Sequence, residues 1–119
     1  MPPPQLRSLI DELESEPEIP ENPSEEEIRV WRLRIDRIDG GLLELLNERS
    51  RAANVIGLLK KRLGLPVYVP TREEEVIGLV LEANGGPLPD ASVKRLFERI
   101  IDETRSLERQ KYQVDSDKK

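Results

Sequence analysis

Apolar residues recur at alternating three- and four-residue spacings through residues 24–63. This rhythm places them on one face of a helix and is typical of a helical seam. Arg49 interrupts the seam at a position where the spacing calls for an apolar residue. The seam consists of Ile28, Trp31, Ile35, Ile38, Leu42, Leu45, Ala52, Ile56, Leu59 and Leu63.

The predicted helix is too long to be covered by its own chain. A helix of about 40 residues is about 60 Å long, whereas a compact monomer of this size has a radius of gyration of about 13–14 Å. Ser24 and Glu27 form a capping box at its start. Gly64 and Pro66 end it, because glycine suits a helix C-cap and proline prevents continuation. The pattern therefore predicts a partner.

Two shorter helices follow the long one. Thr71 is expected to start the second helix, with Glu74 completing a capping box, and the Asn-Gly-Gly-Pro sequence of residues 84–87 ends it. Asp90 is the expected N-cap of the third helix. No segment has the period of a strand, so the fold class is all-α, with three helices that are long, short and medium.

The chain is expected to contain one helical domain with an extension at each end. Residues 1–23 are rich in Pro and Glu and form either a flexible tail with a short helix or a docking segment for another protein. Residues 24–113 make up the helical domain, and residues 114–119 are a polar tail.

Composition limits the chemistry. The formal net charge is −5 and no basic patch dominates, which argues against nucleic-acid binding. The chain has neither Cys nor His, which excludes thiolate or imidazole catalysis and the commonest zinc sites. No signal peptide and no membrane span are visible, so we expect a cytoplasmic protein.

Cations on the long helix form one candidate site. Arg49 and Lys60 project within about 20° of each other and lie roughly 16 Å apart along the axis. Arg32 lies roughly 25 Å before Arg49, so it reaches the same ligand only from a second copy in an antiparallel pair. Arg72 and Glu73 open the second helix, close to the end of the first. The set suits a small anionic ligand.

Each of these residues also has a purely structural interpretation. Arg32 and Lys60 flank the seam, where long cationic side chains usually snorkel or pair with acids. Glu73 suits the positive end of a helix dipole. Arg49 within the seam needs an anion beside it, and a carboxylate such as Glu48 or Glu108 is a structural candidate. The functional signal therefore lies in the set as a whole.

Residues 31–39 and 42–49 resemble the first helix of the AroQ-class, all-helical chorismate mutases. The resemblance covers about residues 25–112 and continues through Ile56-Gly57, Lys60, residues 70–73, residues 96–101 and Glu108. It implies an intertwined antiparallel homodimer with two sites. It also implies conversion of chorismate to prephenate by a Claisen rearrangement, without metal or organic cofactor, in the biosynthesis of Phe and Tyr.

The resemblance assigns a role to each cation of the set. Arg32 corresponds to the arginine borrowed from the other chain, and Arg49 to the arginine that pairs with a substrate carboxylate. Lys60 corresponds to the lysine that hydrogen-bonds the ether oxygen as the C–O bond breaks. Arg72 falls on an arginine of the site, and Glu73 on the acid that accepts the ring hydroxyl.

Three further positions match the family with a difference. Val69 lies where some members carry Asp, so only backbone serves there. Thr104 lies where some members have Ser. Glu108 lies where many members place Gln as a second donor to the ether oxygen; other members use Glu, and a glutamate donates only when it is protonated.

Two other functions fit the same fold. Related proteins eliminate pyruvate from isochorismate or act on aminodeoxychorismate. Alternatively, the chain is a non-catalytic dimerisation or regulatory module. Some relatives are fused to or activated by 3-deoxy-D-arabino-heptulosonate 7-phosphate synthase, which makes that synthase a candidate partner.

Overall fold

A computed structural model describes residues 18–117, with side chains as far as residue 108. The part described contains three helices and no strand: α1 spans Glu25–Leu63, α2 Pro70–Ala83 and α3 Asp90–Asp117. The predicted all-α class, with long, short and medium helices in that order, is confirmed. Most of the Pro/Glu-rich extension, residues 1–17, lies outside the described residues. None of the three helices is long and apolar enough to cross a membrane.

The predicted capping box forms at the start of α1. The hydroxyl and the backbone N–H of Ser24 both donate to Glu27 Oε2, and the N–H of Glu26 donates to Ser24 Oγ at 3.3 Å. The hydrogen bond from the Ser24 hydroxyl is the main reason that the pKa of Glu27 is lowered. Because that pKa is depressed, the box stabilises the ionised form and is lost as the pH falls through it.

Helix α1 ends as predicted at Gly64. This residue has φ +71°, a left-handed conformation that glycine adopts without steric cost. The Gly64 N–H donates to the carbonyl of Lys61 at 3.2 Å, and the Leu65 N–H donates to the carbonyl of Lys60 at 2.9 Å. These are the two bonds of a Schellman motif, and they turn the chain sharply after Leu63.

Helix α2 begins earlier than predicted. Its N-cap is Val69, with φ −130° and ψ 100°, and no side chain caps it. Pro70 occupies the first turn, where its fixed φ suits the helix and its missing N–H leaves no bond unmade. The expected start at Thr71 with a capping box to Glu74 is therefore wrong.

The turn between α2 and α3 is held by Asn84. Its side-chain N–H donates to the carbonyl of Leu88 at 2.9 Å and to Asp90 Oδ1 at 2.8 Å, and its Oδ1 accepts from the N–H of Gly86 at 3.1 Å. Helix α3 begins at Asp90, so Asp90 is its first residue rather than its N-cap.

Helix α3 runs to Asp117 and so includes part of the expected polar tail, because neither Gly nor Pro interrupts it.

The chain divides into two compact units, Met1–Arg49 and Ser50–Lys119. In the second unit α2 packs against α3. Val93, with 7% of its surface exposed, is the buried hydrophobic residue of the described part, and Thr104, at 8%, is the buried polar one. In the first unit none of the side chains of residues 18–49 is buried.

Most of the apolar face of α1 is exposed. Ile35 keeps 54% of its surface accessible and Leu63 71%. A monomeric protein rarely leaves so large an apolar surface in water, and such surfaces mark sites of association. The large apolar side chains of α1 that are exposed are Ile28, Val30, Trp31, Leu33, Ile35, Leu42, Leu43, Leu46, Val55, Ile56, Leu58, Leu59 and Leu63.

The glycine turn predicts opposite effects for two Gly→Ala changes. Gly64→Ala should lower the free energy of unfolding by about 1 kcal/mol or more, because an L side chain is strained at positive φ. Gly78→Ala lies inside α2, where an added Cβ meets nothing within 4 Å, and should raise it by up to about 1 kcal/mol. Urea unfolding at one protein concentration measures both. Equal effects would contradict the assigned role of Gly64.

Candidate active site

The side chain of Lys60 is anchored to the connection that follows α1. Lys60 is half-buried in the last turn of the helix, and its Nζ donates to the carbonyl of Val67 at 2.9 Å. The turn at Gly64 makes this contact possible, because it brings residues 65–69 back toward the end of α1. An ammonium group has three N–H donors, and the Val67 carbonyl uses one of them.

Glu108 lies against α1 at Gly57. A Cβ added at Gly57 would be 3.9 Å from Glu108 Cγ and 4.0 Å from Glu108 Oε2. The half-buried glutamate of α3 therefore lies within van der Waals range of this position on α1. Lys60 follows Gly57 by three residues and so projects from a neighbouring part of the same helix face. Lys60 and Glu108, both predicted site residues, thus lie near the same short stretch of α1.

Glu73 is held by an arginine from α3. The Arg105 guanidinium donates through Nη2 to Glu73 Oε1, and both side chains are largely shielded, with 28% of Arg105 and 30% of Glu73 exposed. The guanidinium carbon lies 4.4 Å from the centre of the Tyr68 ring, within the range of a cation–π contact. Nη2 also lies 3.4 Å from Asp102 Oδ1.

Sequence reasoning missed Tyr68, and for Arg105 it offers only a structural role: Glu108 interpreted as a surface acid would pair with Arg105 or Lys111. The structure instead pairs Arg105 with Glu73 and Asp102. The available signal was weak: Arg105 directly follows Thr104 on α3, and Tyr68 directly precedes Val69. Only the packing of α2 on α3 shows that Arg105 and Tyr68 lie close together.

The other predicted residues of the second unit have mainly local contacts. Thr104 is buried, and its hydroxyl donates to the carbonyl of Ile100 at 2.8 Å. Val69 is half-buried, and its carbonyl accepts from the N–H of Arg72 at 3.0 Å. The Arg72 side chain is 62% exposed and forms a surface ion pair with Glu75 at 3.1 Å.

The remaining two predicted cations belong to the first unit. Arg49 is half-buried on α1, which suits a cation set into an apolar seam, and Arg32 is exposed. Within residues 18–117, no group of three or more acidic side chains is arranged to hold a metal ion.

In the second unit, Lys60 is anchored near the end of α1, Glu108 lies against Gly57 of the same helix, and Glu73 of α2 pairs with Arg105 of α3. The chain belongs to the chorismate mutase type II family, whose family model matches residues 31–109. The family resemblance found in the sequence is confirmed.

Known proteins agree with this assignment. The fold is similar to that of a chorismate mutase (form II) from Thermus thermophilus, with a TM-score of 0.69 and 40% identity over 70% of this chain and 94% of that one. A bifunctional chorismate mutase/prephenate dehydratase of Aquifex aeolicus is 40% identical over 88 residues. A chorismate mutase of Methanocaldococcus jannaschii is 27% identical over 71% of this chain and 87% of its own length.

The match to the bifunctional relative is a match to a part of it. The aligned region covers 71% of this chain but only 24% of the Aquifex aeolicus protein. The chain thus spans about a quarter of the length of that relative, within the segment related to the chorismate mutase type II family.

The anchoring of Lys60 predicts a change in local protection. Lys60→Met removes the bond to the Val67 carbonyl, so the amides of residues 65–69 should exchange roughly 2- to 10-fold faster, as expected for losing one hydrogen bond. Hydrogen–deuterium exchange read by mass spectrometry measures this. Arg62→Gln, an exposed change on the same turn, is the matched control, and equal protection in both variants would contradict the anchor.

Proposed function

We propose that this chain catalyses the rearrangement of chorismate to prephenate. The observation that carries the proposal is the placement of Glu108 against Gly57 of α1, about one turn before Lys60, inside the segment that matches the chorismate mutase type II family. Two side chains that can donate hydrogen bonds from the same place suit one oxygen atom of a substrate.

The reaction needs only groups that this chain offers. In a Claisen rearrangement one C–O bond breaks as one C–C bond forms, and no nucleophile or proton relay takes part, which suits a chain without Cys or His. The enzyme must hold the flexible dianion in its compact conformer and stabilise negative charge on the ether oxygen. Lys60 donates to that oxygen, and protonated Glu108 donates to it from the opposite helix.

The arginines hold the two carboxylates of the substrate. Arg49 and Arg72 bind carboxylate groups, because a guanidinium donates two parallel hydrogen bonds to one carboxylate. Glu73 accepts the ring hydroxyl. Val69 contributes through its backbone, and Thr104 lies one helical turn before Glu108 and shapes the pocket on α3.

We propose further that the active form is an antiparallel homodimer and that Arg32 acts in trans. The exposed apolar face of α1 supports this, because a second copy of the same face would remove it from water. An antiparallel α1 pair places the first half of one helix beside the second half of the other, so Arg32 of the partner subunit completes the cation set around Lys60.

A direct assay tests the activity. Purified protein should convert chorismate to prephenate, and it should do so faster than it turns over isochorismate or aminodeoxychorismate. A faster release of pyruvate from isochorismate would favour the lyase alternative, and no turnover of any of the three substrates would favour a non-catalytic module.

Adding 3-deoxy-D-arabino-heptulosonate 7-phosphate synthase to the same assay tests whether that synthase is a partner. The cytoplasmic location of the chain stays a prediction.

Mixing two inactive variants tests the trans role of Arg32. Arg32→Ala and Lys60→Met should each lower kcat/KM by at least about 100-fold alone, because each removes a charged contact to the dianion. After unfolding and refolding together in equal amounts, random pairing should restore roughly one quarter of the wild-type sites. The rate of prephenate formation measures the recovery.

The control for this experiment is the same pair of variants mixed without refolding. If Arg32 acted within its own chain, every site in the mixture would lack one of the two cations. The absence of recovery after refolding would therefore contradict the trans assignment.

The role of Glu108 predicts a dependence on pH. Activity should fall as the pH rises, because the carboxyl group loses the proton that it donates to the ether oxygen. Glu108→Gln should flatten this profile, since an amide donates at every pH, and should keep most of the activity measured at low pH. A pH–rate profile of kcat for both proteins is the measurement; parallel profiles would remove Glu108 from the reaction.

A further inference from the structure

We infer that Arg105 is a positioning residue for the substrate hydroxyl, acting through Glu73. The inference rests on the proposed function, in which Glu73 accepts that hydroxyl. It concerns a residue outside the set that the family resemblance assigns, and it is carried by three contacts of one guanidinium group.

The Arg105 side chain joins three elements of the second unit. It projects from α3, its Nη2 donates to Glu73 Oε1 on the first turn of α2, and its flat face lies over the Tyr68 ring in the connection between α1 and α2. A guanidinium is planar, and one ring against its face and one carboxylate at its edge fix both its plane and its direction.

This ion pair differs from the other pairs on α3. Arg99 and Glu103 leave 76% and 63% of their side chains in water, whereas Arg105 and Glu73 leave 28% and 30%. Exposed pairs are weakened by solvent and contribute little. A half-buried carboxylate is screened less by solvent than an exposed one, so its counter-charge contributes more.

The geometry leaves Glu73 with a defined position for a further donor. A carboxylate has two oxygens, and the bond from Arg105 to Oε1 restricts where Oε2 can lie; in the proposed function Oε2 accepts from the substrate hydroxyl. Without Arg105 the carboxylate can turn about its terminal torsion, which is broad for glutamate. Binding of the substrate would then have to order the carboxylate. The entropy lost in this ordering would weaken or remove the contact to the substrate hydroxyl.

A double-mutant cycle tests this inference. The variants are Arg105→Gln, Glu73→Gln and the two together, assayed for kcat and KM on chorismate. Arg105→Gln should lower kcat/KM roughly tenfold, within the coupling range of residues in contact, and chiefly through KM, as for a binding contact. In the Glu73→Gln background the same change should have almost no further effect.

Conservative variants and a matched control separate positioning from folding. Arg105→Lys keeps the charge and should recover part of the loss, while Tyr68→Phe keeps the ring and should be neutral. Tyr68→Leu removes the ring and should reproduce part of the Arg105→Gln effect. Arg99→Gln removes an exposed arginine of the same helix and should leave both kcat and KM unchanged.

Additive effects of Arg105→Gln and Glu73→Gln on kcat/KM would overturn the inference, and so would an effect of Arg99→Gln equal to that of Arg105→Gln. If Arg105→Gln does not fold, Tyr68→Leu replaces it in the cycle with the same expected non-additivity. A wild-type chain without mutase activity would instead sink the proposed function, so the two failures are distinguishable.

Discussion

The apolar face of α1 is the constraint on which the rest of this structure depends. The described part of the chain buries one hydrophobic side chain, Val93, while most large apolar residues of α1 stay exposed. Hydrophobic burial is the main favourable contribution to folding, and the described part of a single chain buries little of its apolar surface. In the proposed homodimer, folding and assembly are linked, and stability depends on protein concentration.

Helix α1 carries both the exposed apolar face and three of the cations of the proposed site. Lys60 sits in its last turn, and Arg32 and Arg49 lie farther toward its start. Glu108 lies within van der Waals range of Gly57 on this helix, and Gly64 turns the chain so that the Val67 carbonyl meets Lys60. In the proposed homodimer, the packing of a second α1 on the seam would therefore have two effects. It would stabilise the fold, and it would complete the cation set.

Local signals predicted the helices well and their starts less well. The long helix, its capping box at Ser24 and the turn at Gly64 depend on neighbours in sequence, and all three are confirmed; the packing of the seam against a partner stays a prediction. The start of α2 was misplaced because its N-cap, Val69, has no side chain that caps. Asp90 has the residue type of an N-cap, but its carboxylate accepts from Asn84 instead.

The candidate site was only partly readable from the sequence. The cations were visible because they break or flank a periodic pattern, and Glu73 because it follows Arg72 at a helix start. The contact of Arg105 with Glu73 joins residues of two different helices, and no spacing along the chain encodes it. Only the packing of α2 on α3 brings the two side chains together.

The proposal that the active form is a homodimer is tested by the mass of the active protein in solution. Analytical ultracentrifugation across the concentrations used for the mutase assay measures it. If the active form is the proposed homodimer, a species of twice the 13.7 kDa chain mass is present wherever prephenate forms. A fully active species with the mass of one chain would contradict this proposal.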